Sequence, residues 1–147
     1  MKTPPTPLMV RLLYVSRATG PQTTTVTTSI LLQAQAHNQG EGITGVLCQG
    51  QGLFFQVLEG ERSRVNALYR RICTDTRHHE VELLHYEDIT ERRFGQWSMA
   101  LVNWSALAPG LNLQPADLDP YAASGAQVLA HITARIATGQ AIALPSA

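Results

Sequence analysis

Residues 42 to 60 read Gly42-Ile43-Thr44-Gly45-Val46-Leu47-Cys48-Gln49-Gly50-Gln51-Gly52-Leu53-Phe54-Phe55-Gln56-Val57-Leu58-Glu59-Gly60. Two apolar runs flank Gln49-Gly50-Gln51-Gly52, and glycines at 50 and 52 can take the positive φ of a tight turn. The stretch is a β-hairpin. In its second strand Phe54, Gln56 and Leu58 share one face, and Leu53, Phe55 and Val57 share the other. Both faces are apolar, so both need cover. Gln56 is the exception: an unpartnered buried amide costs about 1–3 kcal/mol, so a polar group must meet it. A backbone group could do so, and so could a ligand.

Working outward, Leu8 to Ser16 alternates as a first strand, with Leu8, Val10, Leu12, Tyr14 and Ser16 on one side. Thr23 to Asn38 predicts a helix with a threonine N-cap and a stop at Gln39-Gly40. Its stripe is Ile30, Ala34 and His37, with Leu31 and Asn38 beside it. Beyond the hairpin, Glu61 to Thr74 predicts a second helix. It buries Val65, Leu68, Tyr69 and Ile72 and turns Arg62, Arg64, Arg70 and Arg71 to water. Val81 to Ile89 carries Glu82, Glu87 and Asp88, a charge load suited to an edge strand. Trp97 to Val102 reads as the last strand, with Trp97, Met99 and Leu101 on one face. The order predicts an α+β fold: a ferredoxin-like βαββαββ sheet with two helices on one face.

The tail from 103 to 147 has only Asp117, Asp119 and Arg135 as charged residues. Tyr121 to Thr138 reads as a helix stopped by Gly139, and so apolar a segment belongs on the outer sheet face or at a subunit interface. The expected domains are a flexible arm (1–7), a folded core (8–102) and a C-terminal helical extension (103–147).

Composition narrows the function. Net charge is zero with one lysine, which gives no electrostatic footprint for nucleic acid or an anionic membrane. No apolar run approaches the roughly 20 residues of a membrane span, and the Pro-rich start lacks the apolar core of a signal peptide. Cys48 and Cys73 read as free thiols in a reducing cytoplasm. Cys73, Asp75, His78 and His79 match no standard metal spacing, so no metal is expected. Gly40, Gly42 and Gly45 mimic a dinucleotide fingerprint but precede a strand, and no Gly-x-Ser-x-Gly turn is present. What is left is a set of polar and aromatic groups suited to a flat aromatic ligand: Tyr14, Ser16, His37, Asn38, Gln56, Trp97 and Met99.

The pieces that carry a resemblance are Leu13-Tyr14-Val15-Ser16, Ala36-His37-Asn38, Gly42-Ile43-Thr44-Gly45, Phe55-Gln56-Val57-Leu58-Glu59-Gly60, Asp75-Thr76-Arg77-His78, and Glu91-Arg92-Arg93-Phe94 followed by Trp97 and Met99. In this order and spacing the chain resembles the BLUF domain, the flavin-binding blue-light sensor of bacteria, in its short stand-alone form. The Thr-rich start of the first helix departs from the family. The resemblance implies a photoreceptor rather than an enzyme, holding FAD, with FMN and riboflavin as alternatives. It implies that Asn38 bonds the ring's polar edge, that His37 and Ile30 pack on the ring, and that Arg77 and His78 lie near its other carbonyl and the outer end of the pocket. Tyr14 and Gln56 then form the switch, with Trp97 and Met99 as competing neighbours of Gln56, Ser16 beside Tyr14, and the ring drawing on Met99 as well. A homo-oligomer and a downstream signalling protein are the expected partners. An acylphosphatase-like hydrolase and a flavin-less interaction domain are the alternative functions on this fold.

Overall fold

The structure, a computed structural model, describes residues 7–103 and 121–137 and the backbone of residues 141–142. The arm up to residue 6, the 104–120 part of the extension and the Gly139 stop lie outside the described residues. The elements are β1 (Met9–Ala18), α1 (Thr24–Glu41), β2 (Thr44–Gly50), β3 (Leu53–Glu61), α2 (Arg62–Ile72), β4 (His78–Ile89), β5 (Ala100–Asn103), α3 (Gly125–Ala137) and β6 (Ala141–Ile142). The sheet order is β4-β1-β3-β2-β5-β6, antiparallel throughout except where β5 runs parallel to β2. Its first four strands have the ferredoxin-like arrangement. The two-residue β6 is an addition that no sequence pattern announced.

The hairpin turns at Gln51-Gly52, with φ of 53° and 78°, and Gly50 just before it also has a positive φ of 153°. The left-handed pair matches the strand twist that two-residue hairpins need. Alternation then sorts the core. Leu12, Tyr14, Phe54, Leu58 and Met99 pack with Leu31 of α1 and Val65 of α2 on the inner face. Leu13, Val15, Phe55 and Val57 pack with Val128, Leu129 and Ile132 of α3 on the outer face. The helix expected on the outer face is α3. Its first residue, Gly125, lies so close to β4 that an added Cβ would sit 2.1 Å from the Leu84 carbonyl oxygen.

Helix α1 runs past the expected stop at Gly40 to Glu41. Its cap is Gly42, left-handed at φ 66°, whose N–H donates to the Asn38 carbonyl. At the other end the Thr23 hydroxyl accepts from the Val26 N–H at 3.2 Å. The buried stripe of α1 is Thr27, Leu31, Gln35 and Asn38. The expected stripe of Ile30, Ala34 and His37 is its neighbour and faces a cavity between the helices.

The last core strand is shorter than expected, starting at Ala100 rather than Trp97. The cause is a competition for carbonyls. Those of Trp97, Ser98 and Met99 accept from the Gly45 N–H at 3.1 Å, the Asn38 amide at 2.8 Å and the Gln35 amide at 3.0 Å. Without a regular ladder there, Trp97 and Met99 do not share a face: Trp97 packs on the outer core, Met99 is in the inner one. A buried charge fixes the preceding loop. Glu59, fully buried, accepts from Arg11 Nε at 2.7 Å, the Phe94 N–H at 2.6 Å and the Arg93 N–H at 2.9 Å. Arg11 also pairs with Glu87.

Candidate functional site

The inner face carries a cavity of about 280 Å³ between α1 and α2. Ile30, Ala34, Leu47, Phe54, Leu68 and Ile72 give it apolar walls, and Tyr14, His37, Asn38, Gln56, Asp75, Arg77 and His78 line it with polar groups. Most sequence-predicted site residues meet here. Ser16 and Met99 stand behind the wall, and Trp97 lies on the other side of the sheet.

At the floor, adjacent strands place Tyr14 of β1 directly opposite Gln56 of β3. The Tyr14 hydroxyl donates to Gln56 Oε1 at 2.6 Å. A phenol can only donate to the amide's oxygen in this pairing, so Nε2 points the other way and reaches Met99 Sδ at 3.5 Å. A thioether is a weak acceptor, so the buried NH₂ group is poorly satisfied. Burial first, then the charges of Tyr69 and Asp75, push the Tyr14 phenol well above its ordinary value. It is therefore a neutral donor. The Tyr69 ring lies 5.8 Å from that of Tyr14, and the His78 ring stands edge-on at 6.0 Å.

His78 is fixed at both nitrogens. Its Nε2–H donates to the Ile72 carbonyl at 2.6 Å, so Nδ1 accepts from the Ser16 hydroxyl at 2.7 Å. Ser16 thus orients His78 rather than lining the cavity. Arg77 grips Asp75 through Nη2 at 2.6 Å and Nε at 3.0 Å, and this bond holds the Asp75 carboxyl below the usual carboxylate range.

Two arginines of α2 and one beyond its end bond side chains of α1: Arg64 to Glu41 at 2.8 Å, Arg71 to His37 at 2.8 Å, and Arg77 to Gln33 at 3.0 Å, the last two pairs lining the cavity. The α1 partners are four residues apart, one per turn. Because Arg71 can only donate, His37 Nε2 accepts and its proton sits on Nδ1. That Nδ1 is buried without a partner, as is Asn38 Oδ1. Two residues that line the cleft therefore carry an unpartnered donor and an unpartnered acceptor. Gln33 and Arg71 also line the cavity, and sequence reading passed over both; the four-residue spacing of Gln33 and His37 on α1 was the available signal. Among the described residues no cluster is placed to hold a metal ion, and no helix is long and apolar enough to cross a membrane.

Fold and cleft together define a ferredoxin-like domain whose cleft between the two inner helices suits a flat, polar-edged ligand. The family model described as BLUF, sensors of blue light using FAD, matches residues 9–100, and the chain belongs to that family. It is 35% identical over 101 residues to the photoactivated adenylate cyclase subunit beta of Euglena gracilis, a match covering 68% of this chain and 12% of that protein. The chain thus spans only a small part of that cyclase. Among solved structures, the dark state of BlrB, a BLUF protein, superposes with a TM-score of 0.75 at 34% identity, covering 90% of this chain and 98% of that one. A bacterial light-regulated adenylyl cyclase gives a TM-score of 0.67 at 36% identity, covering 88% of this chain and 35% of that one. The protein is a flavin-dependent blue-light photoreceptor domain using FAD. Its residues fit the cofactor: an apolar slot for a planar ring, with the unpaired Asn38 Oδ1 and His37 Nδ1–H waiting for polar edge atoms.

Proposed function

We propose that the Tyr14–Gln56 couple is the light-operated switch, that Asn38, His37, Ile30, Arg77 and His78 hold the flavin, and that Met99 is the neighbour of Gln56 in the dark. The observation that carries this is the 2.6 Å bond from Tyr14 to Gln56 on the cavity floor, with Gln56 Nε2 left on a thioether. When bound, the flavin supplies blue absorption and a light-driven demand for an electron and a proton. The chain's own part is to hold one proton at Tyr14 Oη and to offer one amide with two orientations. In the first, Oε1 faces Tyr14 and Nε2 faces Met99. In the second, Nε2 faces Tyr14, whose oxygen must then accept, and Oε1 turns away. Neither fully satisfies the buried amide, so the free-energy gap between them is small enough for a bistable element. Met99 adjoins β5, which pairs with β2 and lies under α3, giving the rearrangement a path to the outer face.

In this reading the chain has no enzymatic activity of its own. Residues 8–102 sense, the 103–147 extension relays to a downstream signalling protein and supports a homo-oligomer, and the buried free thiol of Cys48 suits a cytoplasmic setting. Light-regulated cyclases among the similar proteins support a relay to an effector. The test is an absorption spectrum before and after blue light. The purified protein is expected to be yellow, to shift reversibly to the red, and to release its flavin on heat denaturation. Tyr14→Phe and Gln56→Leu are expected to stay yellow without the normal shift. A normal shift in either variant assigns the switch elsewhere.

A further inference from the structure

Gln35 lies on the buried stripe of α1, one turn before Asn38, and is 7% exposed. Its partner is a backbone carbonyl, that of Met99 at 3.0 Å, so the amide nitrogen Nε2 donates. Asn38 Nδ2 donates to the preceding carbonyl, that of Ser98, at 2.8 Å. A strand in a ladder keeps its carbonyls in the plane of the sheet, aimed at neighbouring strands. Two successive carbonyls bonded to a helix that lies over the inner face cannot both do so. The two amides therefore hold residues 98 and 99 out of the ladder, which starts at Ala100 opposite Val46.

The consequence falls on the side chains. Continued backward, the parallel register of Val46 with Ala100 and Leu47 with Leu101 would turn both Met99 and Trp97 to the side of Leu101, which packs on the inner core. Instead Met99 alone is inner, fully buried with its Sδ 3.5 Å from Gln56 Nε2, and Trp97 packs on the outer core. We infer that Gln35 is a positioning residue of the light switch: its bond to the Met99 carbonyl fixes Met99 beside Gln56 and keeps Trp97 on the outer face of the sheet. The inference rests on the switch reading above and gives its two amide orientations unequal weight. With Nε2 toward Met99, the thioether accepts a weak bond; with Oε1 toward it, two acceptors face each other. A held Met99 thus favours the first orientation, and an indole N–H brought inward would offer the second a donor.

The experiment compares the full chain with Gln35→Met, which keeps a long unbranched side chain and removes the donor. Methionine-methyl NMR in the dark reads the contact directly, because the chain has three methionines. In the wild type the Met99 methyl is expected to show cross-relaxation to the Gln56 side-chain amide, and the Trp97 indole to the outer-core methyls. In Gln35→Met the first contact should weaken, and the indole should gain contacts with inner-core methyls. After blue light, the return of the absorption spectrum to its dark form should slow about fivefold in the variant, the weight of one buried hydrogen bond. The wild-type contacts need no variant to fold. Trp97 in place of Met99 beside Gln56 in the wild type overturns the positioning role, as does a less stable Gln35→Met chain with both contacts and the return rate unchanged. Either result leaves the Tyr14–Gln56 switch intact. A wild type without a red shift overturns the switch reading itself, while the dark NMR contacts still decide what Gln35 holds.

Discussion

The two faces of the sheet are built from alternate residues of the same strands, and they solve opposite problems. On the outer face Leu13, Val15, Phe55 and Val57 meet α3, and the polar side chains that β1 and β3 bury at the end of that face, Arg11 and Glu59, are paired with each other. On the inner face the same two strands present Tyr14, Ser16 and Gln56, all buried, beneath an open cavity. One face supplies apolar burial; the other gives up burial to keep a polar ligand site. A two-residue period lets a single strand do both, so that Phe55 and Gln56, neighbours in sequence, belong to different functions.

The strongest way to break this division is Phe55→Ala. Removing a fully buried ring from the outer core should cost about 3–5 kcal/mol in urea unfolding, while any variant that still folds keeps its light response. A loss of the light shift with stability unchanged would mean that the outer face carries the switch. Next comes Gly125→Ala. The new methyl group has nowhere to go against the Leu84 carbonyl, and forcing it should cost about 1–3 kcal/mol and loosen α3, seen as faster amide exchange along Val128–Ile132. Unchanged exchange there would mean that α3 is not held at this contact. On the inner face, Asn38→Ala removes both the hold on the Ser98 carbonyl and the acceptor offered to the ring. Flavin dissociation should weaken binding by about 1–3 kcal/mol, with a smaller loss in the stability of the flavin-free chain.

The smallest effect concerns the Tyr14 proton. Burial raises this phenol above its ordinary value of about 10, so the folded chain holds the proton more tightly than the unfolded one. The corresponding stability is intact below pH of about 10 and declines as pH rises toward the folded value. Wild type should therefore lose stability more steeply above about pH 10 than Tyr14→Phe does, and Tyr14 should add no phenolate absorbance until unfolding begins. A phenolate signal at the ordinary value, absent in Tyr14→Phe, would mean that water reaches the cavity floor.

The hairpin, the sorting of its faces and the gathering of Tyr14, His37, Asn38 and Gln56 were legible in the sequence, because period-2 alternation and helical stripes are local; Arg77 and His78 were expected there only from the family resemblance. What was not legible depends on distant partners. The shared face assigned to Trp97 and Met99 assumed a regular strand, but the carbonyls of residues 97–99 belong to Gly45 and to two amides of α1. Gly40 looked like a helix stop because glycine usually is one; the left-handed cap fell two residues later, at Gly42. Nothing local marks Glu59 for burial, yet it is fully buried among Arg11 and two backbone N–H groups from another loop. Arg71 read as a residue facing water. It is exposed, and only the approach of α1 to α2 gives it a partner in His37.

The place of β1 in the middle of the sheet has a consequence for how the molecule is made. β1 is paired on one side with β3 and on the other with β4, which begins only at His78. Roughly 60 residues separate the end of β1 from that second partner, several seconds of synthesis at about 5–20 residues per second. During that interval an apolar strand containing Leu12, Leu13 and Val15 has emerged with an open edge. Nascent chains of this design depend on chaperone cover or on early pairing with β3, and slow codons placed before β4 would lengthen the exposed interval. Ribosome-bound chains cut short before His78 are therefore the species in which aggregation should be sought.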